Sequence, residues 1–161
     1  MDDIASRRAA ASAELSARTG IDEPMIQALV HGFYDRVRKD PLLGPVFDSR
    51  ISDWGPHLER MCAFWSSVAL ATGRYQGRPM ARHITLPVDG RHFDRWLALF
   101  EQTAAELCPP AAAMHFIVAA RRIAESLELG IAGHNQTFLR PGERLSRPDE
   151  ELMLPERAVA R

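Results

Sequence analysis

The chain has only two cysteines in 161 residues, Cys62 and Cys108, and neither sits in a CxxC spacing. This excludes a zinc ribbon and a thioredoxin-type redox site, and it suits a reducing, cytoplasmic setting. Charge of one sign is missing too: 20 Lys and Arg stand against 21 Asp and Glu, for a net charge of -1. No electrostatic footprint for a nucleic-acid backbone or an anionic membrane follows from that balance. No segment approaches the roughly 20 apolar residues of a membrane-spanning helix. The opening Met1-Asp2-Asp3 to Arg7-Arg8 has neither the basic start nor the apolar middle of a secretory signal. Alternating, strand-like runs and internal repeats are absent as well, which leaves helices.

What is present is 46% apolar residues, enough for one core without disulfides. Residues 4–18 are Ala-rich with charges all round, a helix with no broad apolar stripe for docking. Asp22-Glu23-Pro24 reads as a helix start, and Ile26, Leu29, Val30, Phe33 and Val37 then share one face. Tyr34 lies at the edge of that face with its hydroxyl directed inward. Asp40-Pro41 ends the helix, and residues 42–47 read as a compact apolar turn. Ser52-Asp53 caps the next helix, whose stripe is His57, Met61, Phe64, Trp65 and Val68.

Residues 73–79 carry helix breakers and read as a loop, followed by a piece from Met80 to His83 too short to be stable alone. Asp89-Gly90 caps a further helix with Phe93, Trp96, Leu97, Phe100 and Ala104 on one face, ended by Cys108-Pro109-Pro110. The last helix spans 111–132, with Met114, Ile117, Val118, Ile123, Leu127 and Ile131 as its core positions. Residues 1–23 therefore read as a partly helical extension, 24–133 as one all-α domain, and 134–161 as a disordered, proline-punctuated tail.

The histidines do not make a hydrolytic metal site. There is no HExxH, no Glu stands three before any His, and only Asp89-x-x-His92 approaches a carboxylate–histidine pair. Taken singly, the aromatics of the middle of the chain are ordinary core and His83 is an ordinary histidine. A bundle with no ligand satisfies the periodicity equally well.

Ordered blocks taken together are more specific. Residues 33–47 (FYDRVRKDPLLGPVF), Trp54 with His57, Phe64-Trp65, residues 73–80 (GRYQGRPM), His83 and residues 93–97 (FDRWL) resemble the truncated haemoglobins, and in particular their third group. The loop lacks the paired glycines of other truncated globins, which favours that group. The resemblance covers about residues 24–132. It implies a two-over-two helical sandwich around a haem b, held non-covalently since no CxxCH is present. It makes His83 the protein's iron ligand. Tyr34, His57 and Trp96 become the distal groups that stabilise a bound diatomic ligand, with His57 also gating entry. Phe47, Met61, Trp65 and Phe93 become walls, while Tyr75, Arg78, Arg82 and Arg91 are the available partners for the haem propionates. His31, His92, His115 and His134 match no functional position. Dioxygen, nitric oxide, carbon monoxide and peroxide are the implied ligands. The implied chemistry is nitric oxide dioxygenation or a peroxidase-like reaction, with a dioxygen carrier, store or gas sensor as the non-catalytic alternative. With no flavin or nicotinamide motif in the chain, catalysis implies a separate reductase.

Overall fold

A computed structural model describes residues 2–154. Its elements are α1 (Asp2–Thr19), α2 (Glu23–Lys39), α3 (Leu43–Arg50), α4 (Trp54–Leu70), α5 (Pro79–His83), α6 (Gly90–Leu107), α7 (Pro110–His134) and α8 (Asp149–Leu152). The helices α2 and α4 pack together, as do α6 and α7, and α2 lies on α6 while α4 meets α7. This is the all-α two-over-two sandwich. Its main core is built from Ile26, Leu29, Phe33 and Val37 of α2, Trp65 and Ala69 of α4, Phe100 and Ala104 of α6, and Phe116 and Ala120 of α7.

Caps explain where α2 and α6 begin. Asp22 accepts a hydrogen bond from Met25 N–H at 2.9 Å. Asp89 accepts from Arg91 N–H at 3.0 Å, and its own N–H donates back to His92 Nδ1 at 3.1 Å. His92 thus replaces the usual Glu or Gln of a reciprocal cap, and the Asp89–His92 pair is a helix start rather than a metal site. Asp53 holds the cap position of α4 without a side-chain hydrogen bond.

The apolar turn expected over 42–47 is instead the start of α3. Asp40 Oδ2 accepts from the N–H groups of Leu42 at 3.1 Å and Leu43 at 2.9 Å, so two donors that a short helix would leave orphaned are satisfied from outside it. Asp40 Oδ1 also accepts from Arg95 Nε at 2.6 Å, tying α6 to the corner between α2 and α3. Gly44 makes the corner possible, because a Cβ there would stand 2.9 Å from the Arg38 carbonyl oxygen.

Two further expectations are corrected. In α7, Met114 is 59% exposed and Val118 38%, whereas Ala112, Ala113, Phe116, Ala120 and Ala124 are buried. Helices approach closely through small residues, so the large apolar side chains are displaced outward. The tail does not run free across its described part. Leu145 is buried among Val46, Val88, Ile131 and Ala132, and Arg144 bonds Glu128 through Nε at 3.0 Å. The remainder of the expected tail, residues 155–161, lies outside the described residues. At the other end, α1 does dock, lying on α4 and α7 with Leu15 against the core. The hydroxyl of Ser16 donates to the Ile21 carbonyl at 2.6 Å and fixes the turn into α2.

Candidate functional site

A cavity of about 680 Å³ opens between the two layers, within the range of cofactor sites. It brings together ten residues to which the resemblance gives roles: Tyr34 from α2, Phe47 from α3, His57, Met61 and Trp65 from α4, Tyr75 from the following loop, Arg82 and His83 from α5, and Phe93 and Trp96 from α6. Among the rim candidates, Arg78 stands outside the lining. Arg91 is committed elsewhere, bonding Asp89 at 3.2 Å and Asp149 at 3.4 Å.

The walls also include side chains that periodicity assigned to the core or passed over. Ile123 and Leu127 of α7 close one side, and Arg50, Arg60 and Arg74 reach the edge. Arg60 follows His57 by three positions on α4, so helical spacing could have found it. Arg50 and Arg74 are engaged, the first with Thr85 Oγ1 at 3.1 Å and the second with Glu23 at 3.4 Å.

Aromatic contacts fix the orientation of the site. The ring of Tyr34 meets that of His57 edge-on at 5.2 Å, and Trp54 meets His57 at 5.5 Å. Arg38 lies over Trp54 at 4.6 Å, covering its outer side. Trp96 stacks on Phe100 at 5.5 Å with the planes 13° apart, and Phe100 in turn stacks on Trp65 at 4.8 Å. These side chains cannot rotate independently, so polar atoms on Tyr34, His57 and Trp96 are presented by a packed framework.

Protonation follows from burial. Tyr34 is only 5% exposed, and burial, with a smaller push from Cys62, holds its phenol well above the usual tyrosine range. It remains a neutral O–H donor. His57 is lowered to about 4, chiefly by burial and then by the positive field of nearby side chains, Arg60 foremost. Its Nε2 is the one buried side-chain nitrogen or oxygen among the described residues with no hydrogen-bond partner. Such an orphan is costly unless something absent from the chain itself meets it.

His83 differs. Its Nδ1 donates to the Pro79 carbonyl at 2.6 Å, one turn back along α5. The proton is therefore held on Nδ1, and Nε2 keeps the lone pair a metal needs. Among the described residues no three His, Cys, Asp or Glu side chains cluster as a metal cage. An iron held through His83 must therefore bring most of its ligands with it, as a porphyrin does. A largely apolar cavity, one available imidazole nitrogen and an unmatched polar nitrogen fit that group.

The fold and the cavity define a helical globin pocket. The chain matches the family model of the bacterial-like globins over residues 18–118 and belongs to that family. Within it the chain is a truncated haemoglobin of the third group. It is 36% identical over 88 residues to the group 3 truncated hemoglobin ctb of Campylobacter jejuni, covering 52% of this chain and 69% of that protein. It is also 30% identical over 80 residues to the group 2 truncated hemoglobin YjbI of Bacillus subtilis, covering 48% and 61%. The crystal structure of the group III truncated hemoglobin from Campylobacter jejuni superimposes with a TM-score of 0.63 at 29% identity, over 73% of this chain and 92% of that one. The hemoglobin of Chloroflexus aurantiacus, at 24% identity and a TM-score of 0.59 over 70% and 95%, shares the fold. The protein is thus a haem globin of the kind that binds diatomic ligands. No helix among the described residues is long and apolar enough to cross a membrane.

Proposed function

We propose that this chain holds haem b non-covalently through His83 and uses it to oxidise nitric oxide with dioxygen, in the cytoplasm and with electrons from a separate reductase. When bound, the haem supplies an iron centre that takes a diatomic ligand and accepts one electron at a time. The reaction balances as nitric oxide plus dioxygen plus one electron giving nitrate.

The observation that carries this reading is the unmatched Nε2 of His57, buried beside the phenol of Tyr34. A delivery pocket has little use for several polar groups around its ligand, since each slows release. Here Tyr34 offers its hydroxyl, Trp96 an indole N–H, and His57 a nitrogen that no group of the described chain satisfies. The aromatic stacks hold these groups in place before any ligand enters, and that preorganisation favours a ligand that carries partial negative charge. Phe47, Met61 and Phe93 exclude water from the space between. Tyr75 and Arg82 stand at the rim, where carboxylate groups of the cofactor would meet them.

The test is a rapid-mixing experiment on the reduced, dioxygen-equilibrated protein with nitric oxide added. Stoichiometric nitrate together with slow spontaneous dioxygen release is expected. Fast release with no nitrate would make the protein a carrier or store, and peroxide-dependent oxidation without nitrate would make it peroxidase-like.

A further inference from the structure

The segment joining α5 to α6 follows directly on His83 and has little structure of its own. Leu86 N–H donates to the His83 carbonyl at 2.9 Å, and Val88 N–H to the Leu86 carbonyl at 3.0 Å. Pro87 lies between them and has no N–H to give. At five residues α5 is too short to hold an imbalance of forces on its own. Its near end rests on α7, where Met80 packs against Gly130 in space that a Cβ would take. Its far end is held by chain from beyond α7.

Arg147 makes that connection. Its Nη1 donates to the Leu86 carbonyl at 3.0 Å and towards the Val88 carbonyl at 3.4 Å, while its backbone N–H donates to Asp89 Oδ2 at 3.2 Å. The side chain is 13% exposed and is itself steadied by Glu151 at 3.2 Å. Two residues earlier, the Leu145 carbonyl accepts the Gly90 N–H at 2.8 Å. The Leu145 side chain is buried against Val88, with Leu86 and Phe93 alongside, and these three line the cavity on their other side.

We propose that residues 145–147 form a strap across the His83 side of the pocket, in which Arg147 is a positioning residue for His83. The proposal rests on His83 being the iron ligand. The path is short: Arg147 holds the carbonyl of Leu86, and the N–H of the same residue holds the carbonyl of His83. Removing the guanidinium takes a charged donor from two loop carbonyls at once, so the turn after His83 gains freedom and the imidazole loses its fixed height and tilt. Because the strap lies outside the cavity, it tunes the ligand without touching cofactor or substrate. A segment beyond the reach of the family resemblance therefore bears on the strength of the iron bond.

The experiment uses the full chain loaded with haem, reduced and ligand-free, and reads the iron–imidazole stretching band by resonance Raman together with the rate of haem transfer to an acceptor globin. Arg147→Ala is expected to shift or broaden the band and to speed haem loss roughly ten-fold, the scale of a lost charged hydrogen bond. Arg147→Lys, which keeps a donor within reach, is expected to restore the band in large part. Arg144→Ala breaks the contacts with Glu128, Asp94 and the Gly90 carbonyl but leaves the Leu86 and Val88 carbonyls held by Arg147, and is expected to lower the thermal midpoint with the band in place. In the haem-free chain, amide exchange at Leu86 and Val88 should quicken in Arg147→Ala. A band unmoved by Arg147→Ala, or moved as far by Arg144→Ala, overturns the positioning role. A wild-type spectrum without the band, or a band that persists in His83→Ala, overturns the ligand assignment instead, and the strap proposal with it.

Discussion

The Nδ1 of His83 and the carbonyl oxygen of Pro79 stand 2.6 Å apart, so the imidazole is tied to the start of the same short helix that carries it. One turn of backbone thereby fixes which nitrogen faces the cavity. Proline at the first helical position suits this arrangement, since its missing N–H is not needed there while its carbonyl is. His83→Ala is expected to lose most of its haem on purification. Added imidazole should recover part of the absorption band by filling the vacated place. Full haem content with unaltered ligand spectra would show that another residue holds the iron.

Tyr34 is buried as a neutral phenol, and the charge state of its hydroxyl does not change across any physiological pH. Tyr34→Phe deletes the donor and little volume. A hydrogen bond to a charged or partly charged acceptor contributes about 1.5 to 3 kcal/mol, so dioxygen release should quicken roughly ten-fold or more. Stopped-flow displacement by carbon monoxide measures it. An unchanged rate would transfer the role to His57 or Trp96.

His57 presents the opposite balance. Its unmatched Nε2 costs stability in the haem-free chain, and a leucine there would remove that cost while keeping the volume apolar. His57→Leu is expected to raise the stability of the haem-free protein by about 1 kcal/mol, at the low end of the penalty for an unsatisfied buried polar group. The loaded protein should at the same time release dioxygen faster. Urea unfolding of the haem-free chain gives the first quantity, and a loss of stability would mean that the imidazole is better satisfied than its surroundings indicate.

Helical spacing exposes α2 and α6 because each buries one continuous stripe of large side chains and begins at an aspartate cap. The pocket is a different matter. No spacing singles out His83 or Tyr34; the order of several short blocks does, through likeness to a family. Where the reading failed, the deciding interactions were made by polar groups outside the segment being read or by small residues. The helix α3 depends on Asp40 supplying two hydrogen bonds from outside it, and nothing in residues 42–47 signals that. Helix α7 packs through alanines, so a search for large apolar residues finds Met114 and Val118 on the wrong face. The segment after α7 is held by Arg144, Arg147 and a single buried leucine, which leave no periodic trace.

Asp40 offers the last test, because its environment pulls in two directions and the outcome has a sign. Burial alone would raise its pKa, yet the N–H groups of Leu43 and Leu42 and the guanidinium of Arg95 outweigh it, and the carboxyl lies below its ordinary value. A carboxylate with a lowered folded-state pKa contributes stability that is complete above the unfolded value of about 3.9 and disappears as the pH falls through the folded value. Asp40→Asn keeps the shape but gives up the charge, and so loses part of both the helix cap and the ion pair. At pH 7 the variant should be less stable by about 1 to 2 kcal/mol, the range of a lost cap or charged hydrogen bond. Below about pH 4 the gap between wild type and variant should close, because wild-type Asp40 then becomes neutral too. Asp89 is lowered by similar contacts, but it is present in both proteins and cancels in the difference. Chemical unfolding at several pH values measures that difference directly, and a gap that stays constant into the acid range would mean that the charge of Asp40 does not hold the corner between α2, α3 and α6.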